Sequence, residues 1–133
     1  MKLNYSDIFV TLSTDKIELM VDFYSQLLNQ PPTVYRPPIY AEFKLQKLRI
    51  GIFKPKFERQ AEFSNHSSSM SLCLEVENLV EAIAHIADLG YPPPGEIIEA
   101  SHGREIYAYD PGQNRLILHQ SPANTTRLRI EQS

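Results

Sequence analysis

The feature that most constrains the fold of this chain is an approximate internal repeat. When the sequence is shifted by 62 positions without a gap, Leu12 aligns with Leu74, and Pro31-Pro32 aligns with Pro93-Pro94. The apolar residues between those points also align, in the pairs Ile17 and Leu79, Val21 and Ile83, Tyr24 and Ile86, and Leu27 and Leu89. A matched strand, helix and proline stop predict two tandem copies of one supersecondary unit.

Each copy shows the pattern of one strand, one helix and three further strands. Alternating β-prone residues predict the strands, and apolar residues at helical spacing predict the helices. The predicted strands are 8–12, 33–36, 39–45, 48–53, 70–76, 96–101, 104–109 and 115–120. The first helix is predicted to begin after the capping residues Ser13-Thr14-Asp15 and to stop before Pro31-Pro32, and the second to span 77–89.

We therefore predict a single domain, 1–133. Module one is 6–53, a polar linker without periodicity is 54–69, module two is 70–120, and a polar tail is 121–133. Within the tail, residues 126–130 alternate like a short edge strand, but disorder is an equal alternative.

The last two strands are joined by a tight turn, Asp110-Pro111-Gly112-Gln113-Asn114. The Asp110 side chain can accept hydrogen bonds from the turn backbone, and Pro111 presets φ. Strand alternation places Leu116 and Leu118 on one face and aromatic, basic and imidazole residues on the other. The first face is predicted to be a core face, and the second is a candidate site wall.

Composition excludes several classes of function. The formal net charge of −3 disfavours a nucleic-acid partner, since phosphate backbones are bound by cationic surfaces. No segment approaches the roughly 20 apolar residues of a membrane helix, so no membrane partner is expected. The single Cys73 and an N-terminus without a signal-peptide pattern predict a cytoplasmic protein.

Two stretches resemble the vicinal oxygen chelate superfamily, which includes glyoxalase I, bleomycin-resistance proteins and extradiol dioxygenases. They are Phe9-Val10-Thr11-Leu12 leading to Asp22-Phe23-Tyr24-Ser25-Gln26-Leu27-Leu28, and Tyr107-Ala108-Tyr109-Asp110-Pro111-Gly112-Gln113-Asn114. The resemblance implies an α+β fold in which two tandem βαβββ modules form an open, cleft-lined mixed-sheet barrel. It also implies a homodimer.

Metal-dependent members of this family hold a divalent ion in the cleft. The matching positions here are Phe9, Gly51, Ser71 and Ile117. Phenyl, glycine and isoleucine side chains have no donor atom, and a serine hydroxyl is a poor ligand unless ionised. We therefore expect no metal and no cofactor at the usual place.

A relocated ion is the alternative to this expectation. Its available donors would be His66, His102, His119 and Glu75. The histidines are not at helical or short-strand spacings that would form a pair in advance, so this alternative is not favoured. The segment Ser101-His102-Gly103 is more simply a hairpin turn.

Strand alternation assigns a set of residues to the faces that line the cleft in this fold. The candidate ligand-binding residues are Phe9, Thr11, Arg49, Gly51, Ser71, Tyr107, Tyr109, Ile117 and His119. Tyrosines suit stacking on a flat ligand, arginine suits a carboxylate or a phosphate, and His119 is a weak candidate acid or base.

Three functions follow from this reading. The favoured one is binding of a small organic molecule without catalysis. The second is a lyase or dioxygenase-like enzyme with a non-standard metal site, or a metal-free acid/base catalyst that uses His119 with Tyr107. The third is an assembly protein in which Phe9 and Ile117 close the cleft.

Overall fold

A computed structural model describes residues 3–4, 6–64 and 69–122. The chain divides into two compact units, Met1–Asn65 and His66–Ser133. The strand predicted at 126–130 lies outside the described residues. Among the residues that are described, none of the helices has the length and apolar character needed to cross a membrane.

The first unit contains one four-stranded sheet and one long helix. Its elements are β1 (Val10–Ser13), α1 (Ile17–Leu27), β2 (Val34–Arg36), β3 (Tyr40–Lys44), β4 (Arg49–Phe53), a 3-10 turn (Phe57–Arg59) and α2 (Gln60–Phe63). The strand order is β1-β4-β3-β2, with β1 parallel to β4 and the other pairs antiparallel.

The second unit repeats this arrangement. Its elements are β5 (Leu72–Glu75), α3 (Leu79–Asp88), β6 (Ile98–Ala100), β7 (Gly103–Tyr109) and β8 (Arg115–Gln120). The strand order is β5-β8-β7-β6, and β5 is parallel to β8. The predicted α+β fold of two βαβββ modules is confirmed.

The predicted cap of α1 is wrong in detail. Lys16 occupies the cap position, and no side chain caps the helix. Thr14 is nearby, but its Oγ1 accepts a hydrogen bond from the Lys16 backbone N–H at 3.0 Å, which closes a turn before the helix. The helix ends before the prolines, where Asn29 adopts a φ of 55°. An asparagine tolerates this left-handed conformation, which redirects the chain.

The core of the first unit lies between α1 and its sheet. Phe23 and Tyr24 are buried and meet edge to face with ring centroids 5.1 Å apart, and Tyr24 also lies 6.3 Å from Phe43. Ile50 and Ile52 complete this layer with no exposed surface. Removing this apolar area from water is the main stabilising contribution of the module.

The second unit has the same design with a better-capped helix. The Asn78 side chain accepts a hydrogen bond from the Glu81 backbone N–H at 3.0 Å, as a helix cap should. Leu79 donates its backbone N–H to the Gln120 side-chain oxygen at 2.6 Å, which ties the start of α3 to the end of β8. Beneath the helix the sheet presents a buried apolar face, made by Ile106, Ala108, Leu116 and Leu118.

The segment predicted as a linker without periodicity contains helical structure. The 3-10 turn leads directly into α2, and the Phe63 ring meets the Phe53 ring edge to face at 5.0 Å. This aromatic contact holds the segment against the end of β4. The sequence pattern did not indicate it, because four residues are too few to show helical periodicity.

Candidate functional site

The face of the second sheet that turns away from α3 carries most of the predicted site residues. Strand pairing arranges them in three rungs, which we call the open face. From one end to the other the rungs are Arg115 and Tyr109, joined by Ser71 through its hydrogen bond with Arg115, then Cys73, Ile117 and Tyr107, then Glu75, His119 and Glu105. Successive rungs are two residues apart along each strand, or about 6.7 Å.

The rung that contains His119 is the most densely hydrogen-bonded. His119 Nδ1 lies 2.6 Å from Glu75 Oε2. The other carboxylate oxygen of Glu75 accepts a hydrogen bond from the Ser121 backbone N–H at 3.0 Å and a second from the Ser121 hydroxyl. Burial alone would raise the pKa of the Glu75 carboxyl, but the bonds from Ser121 and His119 outweigh it and lower that pKa. Glu75 is therefore a carboxylate that orients the His119 ring.

His102 joins this rung from the β6–β7 turn. The predicted hairpin turn is observed, since Ala100 pairs with Gly103 across it. The His102 ring stacks on the His119 ring with centroids 5.1 Å apart and an interplanar angle of 3°. Its Nε2 lies 3.2 Å from Glu105 Oε1. The spacing of the two histidines in the sequence did not indicate this contact, which the β7–β8 register and the β6–β7 turn bring about.

The remaining nitrogen of His119 is the unusual feature of this region. The His119 side chain is only 12 % exposed, and its Nε2 is buried with no hydrogen-bond partner among the described residues. A buried polar atom left without a partner carries a desolvation cost, so each such case needs an explanation. A Cβ atom built on Gly103 would lie 3.1 Å from this nitrogen. The turn glycine thus leaves room beside His119 Nε2.

The middle rung is the least polar part of the open face. Tyr107 is 40 % exposed, and Ile117 is half-buried beside it. Cys73 is an exposed free cysteine on the other side of Ile117. Burial of the sulfur raises the pKa of the Cys73 thiol, and the neighbouring Glu75 and Glu105 charges raise it further. The thiol is therefore a weak nucleophile at neutral pH.

We expect iodoacetamide to alkylate Cys73 several-fold more slowly at pH 7 in the folded protein than in the urea-unfolded protein. A raised pKa lowers the thiolate fraction, and the two rates should converge as the pH rises above that pKa. Glu75→Gln removes one nearby negative charge and should speed the reaction, whereas Glu58→Gln, on the 3-10 turn of the other unit, should not. Mass spectrometry measures both rates, and faster alkylation of the folded form would contradict this prediction.

The first rung of the open face carries a fixed cation. Arg115 donates from Nε to the Ser71 hydroxyl at 2.7 Å, and its terminal nitrogen lies 3.4 Å from the Met70 carbonyl oxygen. Tyr109 lies opposite Arg115 in the strand register. The family resemblance implied a metal-ligand position at Ser71. Here its hydroxyl instead accepts a hydrogen bond from an arginine.

In the first unit, Arg49 is held by neighbours in its own unit. Its guanidinium contacts Asp7 Oδ2 at 2.6 Å and Glu42 Oε1 at 3.0 Å, and it lies 3.9 Å above the centre of the Phe9 ring. The two carboxylates and the ring already balance its charge. Binding of a ligand carboxylate by Arg49 therefore stays a prediction, and such a ligand would compete with Asp7.

The other predicted residues of the first unit form one rung. Thr11 pairs with Gly51, and Gly51 pairs with Glu42 on the other side. The Tyr40 side chain leans over Gly51, since a Cβ there would lie 3.0 Å from the Tyr40 hydroxyl. Burial raises the pKa of Tyr40, and the Glu42 carboxylate, 3.3 Å from the hydroxyl, adds to the effect. The strand glycine permits this close approach.

The donor set at the four family positions does not suit a divalent ion. Phe9, Gly51 and Ile117 offer only carbon and hydrogen in their side chains, and Ser71 is engaged by Arg115. A three-ligand site needs nitrogen or oxygen donors at about 2.0–2.2 Å from the metal. No reaction step is therefore assigned to a metal at these positions.

The comparisons with known proteins support the fold. No family model matches the chain, and no curated protein matches it. Among solved structures, a fosfomycin resistance protein, FosX, from Listeria monocytogenes is similar with a TM-score of 0.70 and 17 % identity, over 92 % of this chain and 98 % of that one. A lactoylglutathione lyase from Agrobacterium tumefaciens has a TM-score of 0.66 and 16 % identity, over 90 % and 96 % of the two chains.

A glyoxalase/bleomycin resistance protein from Catenulispora acidiphila is also similar, with a TM-score of 0.63 and 18 % identity, over 87 % of this chain and 98 % of that one. For the fold, these similarities confirm the resemblance seen in the sequence. At these identities the likeness says nothing about which molecule this chain binds.

Proposed function

We propose that the protein binds a small organic molecule on the open face of its second sheet. The observation that supports this is the order of the three rungs. An apolar and aromatic middle rung, with Tyr107 40 % exposed, lies between an arginine rung and a histidine–glutamate rung. Binding sites for small molecules commonly combine apolar walls with a few fixed polar groups.

The dimensions of the open face define the class of ligand. The outer rungs are four residues apart along β8, or about 13 Å. A flat molecule of one or two rings can therefore lie against Tyr107 and Ile117 and reach a polar group at each end. Tyr107 can stack on such a ring or donate its hydroxyl to it. The proposed ligand is a flat, partly polar organic compound.

Nuclear magnetic resonance of the 15N-labelled protein tests this proposal. The probes are a set of flat aromatic carboxylic acids and phenols, with fosfomycin and lactoylglutathione added because two similar structures are named for them. We expect a binding compound to shift the amide signals of Tyr107, Tyr109 and Ile117. Compounds that shift only signals elsewhere, or no binding compound at all, would contradict the proposal.

For a compound that binds, Tyr107→Ala should weaken affinity about fivefold, which corresponds to the loss of roughly 1 kcal/mol of aromatic contact. Tyr35→Ala is the matched control, because Tyr35 is 44 % exposed on β2 of the other unit. The affinity of Tyr35→Ala for the compound should equal that of the parent protein. Equal affinities for all three proteins would show that Tyr107 does not contact the ligand.

An enzyme of the lyase or dioxygenase kind is the second candidate function. The observation that favours it is the buried His119 Nε2, since Glu75 holds Nδ1 and leaves Nε2 as the ring atom available for proton transfer. Conversion of a bound compound that stops in His119→Gln would support catalysis. If the same compound binds but is not converted, the result would contradict catalysis and support binding only.

A homodimer is proposed on the strength of the family resemblance. Sedimentation equilibrium of the whole chain tests it. A mass of about twice the 15.3 kDa of one chain is the expected result, and a monomer at all concentrations would contradict it.

A further inference from the structure

We propose that His102, Glu105 and His119 bind one divalent transition-metal ion of the zinc type, with Glu75 positioning the His119 ring. We call these three residues the histidine–glutamate cluster. It lies one rung beyond Ile117 and uses none of the four family positions. The proposal does not depend on the small-molecule function proposed above.

The geometry of the three side chains is close to that of a metal site. One ligand atom from each lies within 4.8 Å of the other two. Bonds of 2.0–2.2 Å at tetrahedral angles place ligand atoms about 3.4 Å apart. The His102 Nε2 and the Glu105 Oε1 are already 3.2 Å apart, so only His119 has to close a gap. Small side-chain rotations would bring all three ligand atoms to these separations.

The unpartnered nitrogen of His119 supports the proposal independently. A neutral histidine that donates Nδ1–H to a carboxylate presents the lone pair of Nε2 on its other side. Metal-bound histidines are typically oriented in this way by a carboxylate. Here Glu75 is that carboxylate, and Ser121 holds it through backbone and side chain. A bound ion would give the buried Nε2 a partner, which it lacks within the described part of the chain.

The surroundings leave an entry path and a free coordination position. His102 is 63 % exposed on its turn, whereas Glu105 is 16 % and His119 is 12 % exposed. The ion would therefore reach two partly buried ligands, Glu105 and His119, and be covered by the exposed His102 from the solvent side. Two imidazoles and one carboxylate are the donor set of three-ligand zinc sites, in which water or substrate takes the fourth position.

Calorimetric titration of chelator-treated protein with zinc chloride tests the proposal. We expect one ion per chain for the parent protein. His119→Ala and His102→Ala should each weaken binding at least a hundredfold, and Glu75→Gln, which alters only the support of His119, should weaken it 10- to 100-fold. His85→Ala is the matched control, because His85 is exposed on α3, and should bind zinc like the parent.

Cobalt(II) gives a readout that folding alone would not change. In the parent protein we expect the strong visible absorption of a four- or five-coordinate ion, and in Glu75→Gln we expect a shifted and weaker band. His102 lies in an exposed turn, so His102→Ala should keep the parent circular dichroism while it loses metal. The proposal would be overturned if the parent protein does not bind zinc, or if His102→Ala and His119→Ala still bind it. Unchanged zinc affinity and cobalt spectrum in Glu75→Gln would overturn the role of Glu75.

Discussion

Replacing Asp110 by alanine is expected to destabilise the protein by about 3 kcal/mol. Asp110 is fully buried in the β7–β8 turn. Its Oδ1 accepts hydrogen bonds from the backbone N–H groups of Gly112 at 2.8 Å and Asn114 at 2.9 Å, and the Asn114 side-chain amide contacts both carboxylate oxygens. Truncation leaves these donors without a charged acceptor, and hydrogen bonds to charged groups are worth about 1.5–3 kcal/mol each in favourable cases.

Two further variants make this prediction specific. Asp110→Asn keeps one carbonyl oxygen for the backbone donors, but its amide nitrogen would face the amide of Asn114, so an intermediate loss of about 1.5 kcal/mol is expected. Asp88→Ala is the control, since Asp88 is exposed at the end of α3, and it should change stability by less than about 0.5 kcal/mol. Urea denaturation, with amide exchange of β8 as the local probe, measures all three. A loss below 1 kcal/mol in Asp110→Ala would contradict the prediction.

The same turn shows which parts of the fold could be predicted from the sequence. The roles of Asp110 and Pro111 follow from backbone chemistry within five residues, so they are visible without knowledge of the rest of the chain. The buried and open faces of β8 are likewise local, because side chains alternate on any strand. The two-module fold was predictable because the repeat places the same local signals twice in the same order.

The contacts between rungs were not predictable in the same way. Alternation puts Glu105 and His119 on the open face, but only the register of two strands makes them neighbours. The contact between His102 and His119 was harder still to predict, because His102 precedes β7 and reaches His119 from a turn. The signal that could have found the cluster is the hairpin itself, since an antiparallel pair brings the start of one strand to the end of the next.

Lys16 and Phe63 illustrate two other limits. Three capping side chains precede α1 in the sequence, yet the helix begins at Ile17 and none of them caps it. The cap residue depends on where α1 has to lie to bury its apolar side, which is a matter of packing. Phe63 packs on Phe53 through an aromatic contact that no periodic pattern in the sequence indicates. Local preferences therefore predict which elements form and leave their exact ends to packing.

Replacing Gly103 by alanine is expected to destabilise the second module by more than about 3 kcal/mol, because two separate effects add. Its φ of +132° is a conformation that residues with a side chain rarely adopt. A Cβ at this position would also overlap the backbone carbonyl of Gln120, which cannot move without separating β7 from β8. Urea denaturation gives the loss of stability, and amide exchange of Ile106 and Leu118 shows whether it falls in this module.

The chain contains two glycines that separate these effects. Gly90 has a φ of +103° but open space around its Cα, so Gly90→Ala should show conformational strain alone, about 1 kcal/mol. Gly95 has neither restriction, and Gly95→Ala should be neutral within about 0.5 kcal/mol. A Gly103→Ala loss no greater than that of Gly90→Ala would show that the turn absorbs the added atom. The larger loss would show that the missing side chain at Gly103 is required for the pairing of β7 with β8.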